Sequence, residues 1–109
     1  MNWTIAFLPE AFEDLVKLDG SIKSQILKTL QKVSQNPLPD YQGGYGKPLE
    51  NQNKSHLASL LKIKFKKIGI RVVYKLELEN SVMKIIIISV RADNQVYEEA
   101  EIRRKKYHL

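Results

Sequence analysis

Cationic side chains recur at regular spacing in KIKFKKIGIRVVY, which runs from residue 62 to residue 74. Lys62, Lys64 and Lys66 alternate with apolar residues, so a β-strand would place their ammonium groups on one face of a sheet. A chain reversal near Gly69 would bring Arg71 opposite Lys64. Like charges that face each other across a sheet repel, by up to roughly 1 kcal/mol. The stretch therefore predicts a rigid cationic face that binds an anion.

The same pattern has a plainer interpretation. Lysines on an exposed face, or on an edge strand that they protect from aggregation, are common without any bound anion. Solvation is the better explanation for Lys66 and Lys67, which lie nearest the turn. A helix also competes with the first strand, because Leu57, Leu60 and Leu61 lie at helical spacing. The hairpin register is therefore the decisive structural prediction.

Two further candidates for an anionic ligand lie in SVRADNQVY. Arg91 comes directly after an apolar predicted strand, where a rigid element passes into a loop, and functional side chains are common at such points. Tyr97 lies six residues later. Its ring could stack on an unpaired RNA base, or it could anchor the last helix on the sheet, and the sequence leaves both open.

The hydrophobic pattern predicts the elements that hold these residues. NWTIAF favours a strand, and PEAFEDLVKL and SIKSQILKTLQKV favour two helices separated by DGS. NPLPDYQGGYGKPLENQNKS is rich in Pro, Gly and Asn and is typical of a long surface loop. Three strands are predicted at about residues 60–66, 70–77 and 82–90, the last buried on both faces as the central strand. A terminal helix is predicted next, with Asp93 or Asn94 as its N-cap.

Size and charge suit one small domain with an anionic partner. The 109 residues are predicted to form a single α+β domain, residues 1–109, in the order β-α-α-β-β-β-α with a mainly antiparallel sheet of about four strands. The formal net charge of +6 favours nucleic acid, an acidic protein or an acidic membrane surface. Because cysteine is absent and the two histidines are scattered, no metal or other cofactor is expected. No segment has the pattern of a signal peptide or a membrane span, so we expect a cytoplasmic protein without a membrane partner.

In their order along the chain, GKPLENQ, LLKIKFKKIGIRVVY and IISVRADNQVYEEA resemble the RelE/ParE superfamily of toxins from bacterial toxin-antitoxin systems. The resemblance spans nearly the whole chain and is to the RelE-type mRNA interferases in particular. These enzymes cleave mRNA in the ribosomal A site with lysines, arginines and a tyrosine. The resemblance therefore implies a metal-independent endoribonuclease that inhibits translation, with the ribosome and mRNA as its targets and a cognate antitoxin protein as its partner.

The resemblance also assigns residues to the reaction, in which an RNA 2′-OH attacks the adjacent phosphate. The matching positions are Lys62, Lys64, Arg71, Arg91 and Tyr97. A guanidinium stays protonated, whereas a lysine beside a second cation can lose its proton, so Lys62 or Lys64 is the candidate base. Arg71 would hold the scissile phosphate and Arg91 would stabilise developing charge. Tyr97 would stack on or orient a nucleotide.

Other positions are tied less closely to the family pattern. Lys47 is expected to contact RNA backbone from the loop, with plain solvation as the alternative. Docking on ribosomal RNA is expected to involve Lys23, Lys28 and Lys32. After Arg91 the family usually carries further basic residues where this chain has ADNQ, which affects rate and codon preference more than the reaction. Two other classes stay open: a ParE-like inhibitor of DNA gyrase, which shares the fold but generally lacks these cations, and a non-catalytic RNA-binding domain.

Overall fold

A computed structural model describes residues 2–49 and 60–109, apart from the side chain of Asp93, as a mixed sheet with three helices. The strands are β1 (Thr4–Phe7), β2 (Lys47–Pro48), β3 (Leu60–Phe65), β4 (Ile70–Glu77) and β5 (Val82–Ser89). The helices are α1 (Pro9–Val16), α2 (Gly20–Val33) and α3 (Asp93–Lys106), with a short 3₁₀ turn at Asp40–Gln42. The predicted α+β class and the predicted order of helices and main strands are confirmed.

The sheet has the order β1-β5-β4-β3-β2, which differs from expectation in two respects. The short β2 lies within the predicted loop and raises the number of described strands from about four to five. β5 is buried at consecutive positions, as predicted, but β4 is the middle strand of the order. β1 pairs with β5 in parallel, and the other strand pairs are antiparallel. The competing helix is not formed from residue 60 onward, and Leu57 lies outside the described residues.

Strands β3 and β4 pair in the predicted register. Lys64 lies opposite Arg71, and Phe65 lies opposite Ile70. Gly69 has a φ of 66°, a left-handed conformation that suits glycine, at the reversal between the strands. Because side chains alternate along a strand, Phe65 and Ile70 face α2 and α1 while the cations project from the other face.

The core lies between the sheet and the helices. Leu15 of α1 and both Ile26 and Leu30 of α2 are buried in the same apolar cluster as the sheet residues. α3 contacts β4 and β5 and contributes Val96 and Ala100, which have no exposed surface. A spacing of four residues, between Ile26 and Leu30 and between Val96 and Ala100, places each pair on one stripe of its helix. Within the described ranges, no helix has both the length and the apolar character needed to cross a membrane.

Side chains close the edge of β5 beyond the point where β1 ends. β1 pairs with β5 only as far as Ile85. Further along, Asp14 Oδ2 accepts hydrogen bonds from the Ile88 N–H (3.1 Å) and from Arg103 Nη1 (2.7 Å). Arg103 Nη1 also donates to the carbonyl of Ile86 (2.9 Å), at the irregularity in the β4–β5 register. One part-buried polar network therefore joins α1, α3 and β5.

A buried tyrosine holds the loop that leads into β2. Tyr74 has no exposed surface, and its hydroxyl donates to the carbonyl of Pro37 (2.9 Å). Burial raises the pKa of Tyr74, so the side chain remains a neutral donor. Gly46 lies so close to this hydroxyl that a Cβ atom there would collide with it. The loop is thus fixed against β4, and it delivers β2 to the side of β3.

The end of α3 is tied to the start of α1. Glu10 accepts hydrogen bonds from Lys106 Nζ and from Tyr107 Oη, each at 2.8 Å. These bonds, that of Lys106 first, lower the pKa of Glu10 to about 2 from its ordinary value of 4.5. Since the folded-state pKa is depressed, the contact stabilises the fold above pH 4.5, and this contribution is lost as the pH falls towards 2.

We expect the Glu10→Gln variant to lose less stability on acidification than the wild type. Its free energy of unfolding should decline less steeply between pH 4.5 and 2, because the ionised carboxylate has already been removed. Urea unfolding followed by circular dichroism across this range measures the difference. Glu13→Gln, at an exposed position of the same helix, is the matched control and should follow the wild type. Equal slopes for Glu10→Gln and the wild type would contradict the expectation.

Candidate active site

Several cations project from one face of the sheet, and four of them form the surface that is called here the cationic face: Lys47, Lys62, Lys64 and Arg71. Lys64 pairs directly with Arg71 across β3 and β4. Lys47 pairs directly with Lys62 across β2 and β3. Paired residues of antiparallel strands project to the same face, and so do residues two apart on one strand. The three predicted sheet cations are therefore brought together, and Lys47 joins them from the edge strand.

Lys62 is buried beneath α3. Its side chain lies at the boundary of the core, with the residue only 2% exposed. Lys62 Nζ donates to Tyr97 Oη at 3.0 Å and lies 5.5 Å from the centre of the Tyr97 ring. Tyr97 is half-buried and packs against the core. The predicted anchoring of the last helix by Tyr97 is therefore present, and it occurs at the cationic face.

The side chain of one predicted arginine contacts the backbone of the other. Arg71 Nη1 donates to the carbonyl of Arg91 at 3.0 Å. The Arg91 side chain is exposed just after β5, and its N–H donates to Ser89 Oγ at 3.1 Å. Ser89 is itself the direct partner of Arg71 across β4 and β5. Arg71 and the turn after β5 thus form one hydrogen-bonded unit.

A shallow depression of about 240 Å³ opens at one end of the cationic face. Its lining consists of Lys64, Phe65, Lys66, Gly69, Ile70 and Arg71, three of which are cations. A phosphate can contact these cations. The depression is therefore chemically suited to an anionic group such as a phosphate of an RNA backbone. Lys66 and Lys67 are exposed at the turn, in agreement with their predicted solvation.

Two residues near the arginines were not predicted from the sequence. Lys17 and Ser89 border a second depression of about 180 Å³, together with Arg91. Serine side chains often accept the backbone N–H two residues later and so form a turn. A serine at the end of a predicted strand, such as Ser89, is therefore a signal that the sequence does contain. Lys17 follows α1, and no local pattern reports that this point lies beside the end of β5.

The three lysines predicted to dock on ribosomal RNA lie on α2, away from the cationic face. They are Lys23, Lys28 and Lys32. α2 covers the opposite face of the sheet, where Gln25 borders Phe65. Over residues 2–49 and 60–109, no group of three or more His, Asp or Glu side chains is placed to hold a metal ion.

Solved structures share this arrangement of strands and helices. A double arginine-to-alanine variant of the E. coli toxin RelE in the free state is 25% identical, with a TM-score of 0.70, over 94% of this chain and 98% of that chain. The chain has the RelE fold. The chain is also similar to the RelBE2 toxin-antitoxin complex of Mycobacterium tuberculosis, at 24% identity and a TM-score of 0.65 over 84% of this chain and 100% of that chain.

The intact E. coli RelBE toxin-antitoxin complex also matches, at 21% identity and a TM-score of 0.66 over 83% of this chain and 98% of that chain. No protein-family model matches the chain, and no curated protein sequence matches it. The RelE resemblance predicted from the residues is confirmed by these structures, and it supports a RelE-type toxin.

Proposed function

We propose that this protein is the toxin of a toxin-antitoxin pair and a ribosome-dependent endoribonuclease that cleaves mRNA in the A site. The observation that carries the proposal is the meeting of Lys62, Lys64, Arg71 and Tyr97 on one face of a RelE-like sheet. Cations fixed on strands are preorganised for the negative charge that develops on a phosphate during cleavage. Translating ribosomes lie in the cytoplasm, so we assign the activity to that compartment.

The geometry divides the roles of the two lysines. Lys64 is partly exposed and borders the depression beside Arg71, whereas Lys62 is only 2% exposed and contacts Tyr97. Lys64, in its neutral form, is therefore the proposed base that takes the proton of the RNA 2′-OH. The 2′-oxygen then bonds to phosphorus and the bond from phosphorus to the 5′-oxygen breaks. The products are a 2′,3′-cyclic phosphate and a 5′-OH end, with the proton on the leaving oxygen drawn from water.

The remaining residues bind and orient the RNA. The carbonyl of Arg91 fixes the plane of the Arg71 guanidinium, which suits a two-point clamp on the phosphate oxygens. The exposed Arg91 side chain stabilises charge on the leaving 5′-oxygen. Tyr97, held by Lys62, stacks on or orients a neighbouring nucleotide, and Lys47 contacts the backbone from the sheet edge.

We expect cleavage to occur on ribosomes and to persist in excess EDTA, once a polyamine keeps the ribosomes intact. The proposed chemistry uses amine, guanidinium and phenol groups, so a divalent ion is not required at the chemical step. Purified protein is incubated with translating ribosomes and the new mRNA 5′ ends are mapped to codon positions. Naked mRNA should be cut poorly, because the ribosome supplies the alignment of the 2′-OH with the phosphate. A need for added divalent ion during the chemical step would refute this mechanism.

The same experiment, combined with an assay of supercoiling by DNA gyrase, separates the alternative functions. A ParE-like protein would leave mRNA intact and inhibit supercoiling by DNA gyrase. A non-catalytic RNA-binding domain would protect mRNA without producing new ends. Codon-positioned ends that appear only with the wild-type protein support the nuclease, and their absence together with gyrase inhibition would overturn it.

A cognate antitoxin is the expected partner. The similar RelBE complexes consist of a toxin with an antitoxin, and the formal net charge of +6 favours an acidic segment. We expect that segment either to cover the cationic face or to displace α3, which Tyr97 and Arg103 hold on the sheet. The purified complex should cut ribosome-bound mRNA far more slowly than the free protein. Equal rates for the complex and the free protein would contradict inhibition by this route.

A further inference from the structure

Ser89 connects the strands to both arginines of the proposed site. It is the last residue of β5 and the direct partner of Arg71 on β4. Its Oγ accepts the N–H of Arg91 at 3.1 Å, and the Arg91 carbonyl accepts Arg71 Nη1 at 3.0 Å. These contacts close a ring from β4 to β5, through the turn, and back to the Arg71 side chain.

We propose that Ser89 is a positioning residue for Arg71 and Arg91 in RNA cleavage, a role that rests on the proposed nuclease function. The serine hydroxyl holds the turn after β5 in the conformation that points the Arg91 carbonyl at the Arg71 guanidinium. With that carbonyl in place, the plane of the guanidinium is fixed before RNA arrives. A clamp oriented in advance stabilises the transition state without further ordering during the reaction.

The turn that the Ser89 hydroxyl holds also leads into α3. The turn runs directly into α3 through Ala92, whose carbonyl accepts the Val96 N–H at 3.0 Å. Ala92 has no polar side chain with which to fix the turn. The same turn therefore also sets where α3 begins, and with it the approach of Tyr97 to Lys62. The Ser89 hydroxyl thus acts on Arg71, Arg91 and Tyr97 through the turn.

A matched pair of variants separates the hydroxyl from the shape of the side chain. Ser89→Thr keeps the hydroxyl and adds a methyl group, whereas Ser89→Val has the shape of threonine with a methyl group in place of the hydroxyl. Both β-branched residues suit a strand. We expect Ser89→Val to slow single-turnover cleavage about tenfold, with the half-saturating ribosome concentration unchanged. Ser89→Thr should remain within about twofold of the wild type. A loss of similar size in Ser89→Thr, or no loss in Ser89→Val, would overturn the proposal.

A double variant tests whether Ser89 acts through Arg71. In an Arg71→Ala background, Ser89→Val should slow the remaining cleavage by less than about threefold, because only its smaller effects on Arg91 and Tyr97 remain. A full tenfold loss there would show an independent effect and overturn the proposed route.

Nuclear magnetic resonance of the Arg71 Nε–Hε group in the free protein gives a readout independent of cleavage. Its signal should shift or broaden in Ser89→Val and keep its wild-type position in Ser89→Thr. An unchanged signal in Ser89→Val would overturn the positioning role. If the wild-type chain cuts no mRNA, the proposed function fails, and the nuclear magnetic resonance comparison still decides whether Ser89 positions Arg71.

Discussion

Replacement of Arg71 by alanine is expected to slow mRNA cleavage on ribosomes about a hundredfold while the protein remains folded. Loss of a two-point clamp on the scissile phosphate removes about 3 kcal/mol of transition-state stabilisation. Arg71 lies at the end of the β3–β4 hairpin, opposite Lys64, so truncation also relieves a repulsion between like charges. Single-turnover cleavage with saturating ribosomes measures the rate, and a thermal melt confirms the fold.

Two controls define what the Arg71→Ala result means. Arg71→Lys should recover only part of the rate, because an ammonium group cannot reproduce the planar fork. Lys67→Ala, which removes an exposed cation at the turn, should change the rate less than about threefold and weaken its salt dependence. Near-normal cleavage by Arg71→Ala, or a loss that follows only from unfolding, would show that the cationic face is a solvated edge.

The second large effect is expected at the network that closes the edge of β5. Asp14→Asn keeps the shape of the side chain but removes the nearer of two carboxylates that contact Arg103, Asp14 at 2.7 Å, and leaves Glu99 at 3.2 Å. Because Glu99 still compensates part of the buried charge, the loss should cost about 2 kcal/mol of unfolding free energy. For a domain of this size the Tm should fall by about 10 °C. Urea unfolding and a thermal melt measure both quantities.

A control variant on the same helix tests whether the stability lost in Asp14→Asn comes only from the removal of a negative charge. Glu13→Gln removes an exposed carboxylate from the same helix and should cost less than about 0.5 kcal/mol. A double variant, Asp14→Leu with Arg103→Met, should recover much of the stability lost in Asp14→Asn, because the buried charge is removed together with its partner. A cost below about 1 kcal/mol for Asp14→Asn would indicate that solvent screens the pair.

The β3–β4 hairpin was predictable because its signal is local. Alternation around Gly69 fixes the register, and that register brings Lys64 opposite Arg71. The pairing of β1 with β5 and the two-residue strand β2 were not predictable, because each depends on contacts distant along the chain. Alternation also implies an exposed Lys62, and its burial depends on the docking of α3, which a strand pattern does not encode.

Arg103 is buried, although the charge pattern around it favours an exposed position. It lies in EIRRKK, a basic cluster that suits the solvated end of a helix. Yet Val96, Ala100 and Arg103 have spacings of four and three, and all three are buried on one stripe of α3. The stripe predicts that one arginine of the cluster turns towards the sheet. Its partner, Asp14 on α1, could be identified only from the folded chain.

The parallel pairing of β1 with β5 determines the order in which parts of the fold can form during synthesis. Thr4 pairs with Val82, so β1 stays without its partner strand until β5 has been synthesised. Arg91 and Tyr97 follow β5 in the chain. The residues that we propose for cleavage can therefore come together only after β5 and the start of α3 have been synthesised. For the nuclease proposed above, this order keeps the nascent chain inactive until those elements have been translated.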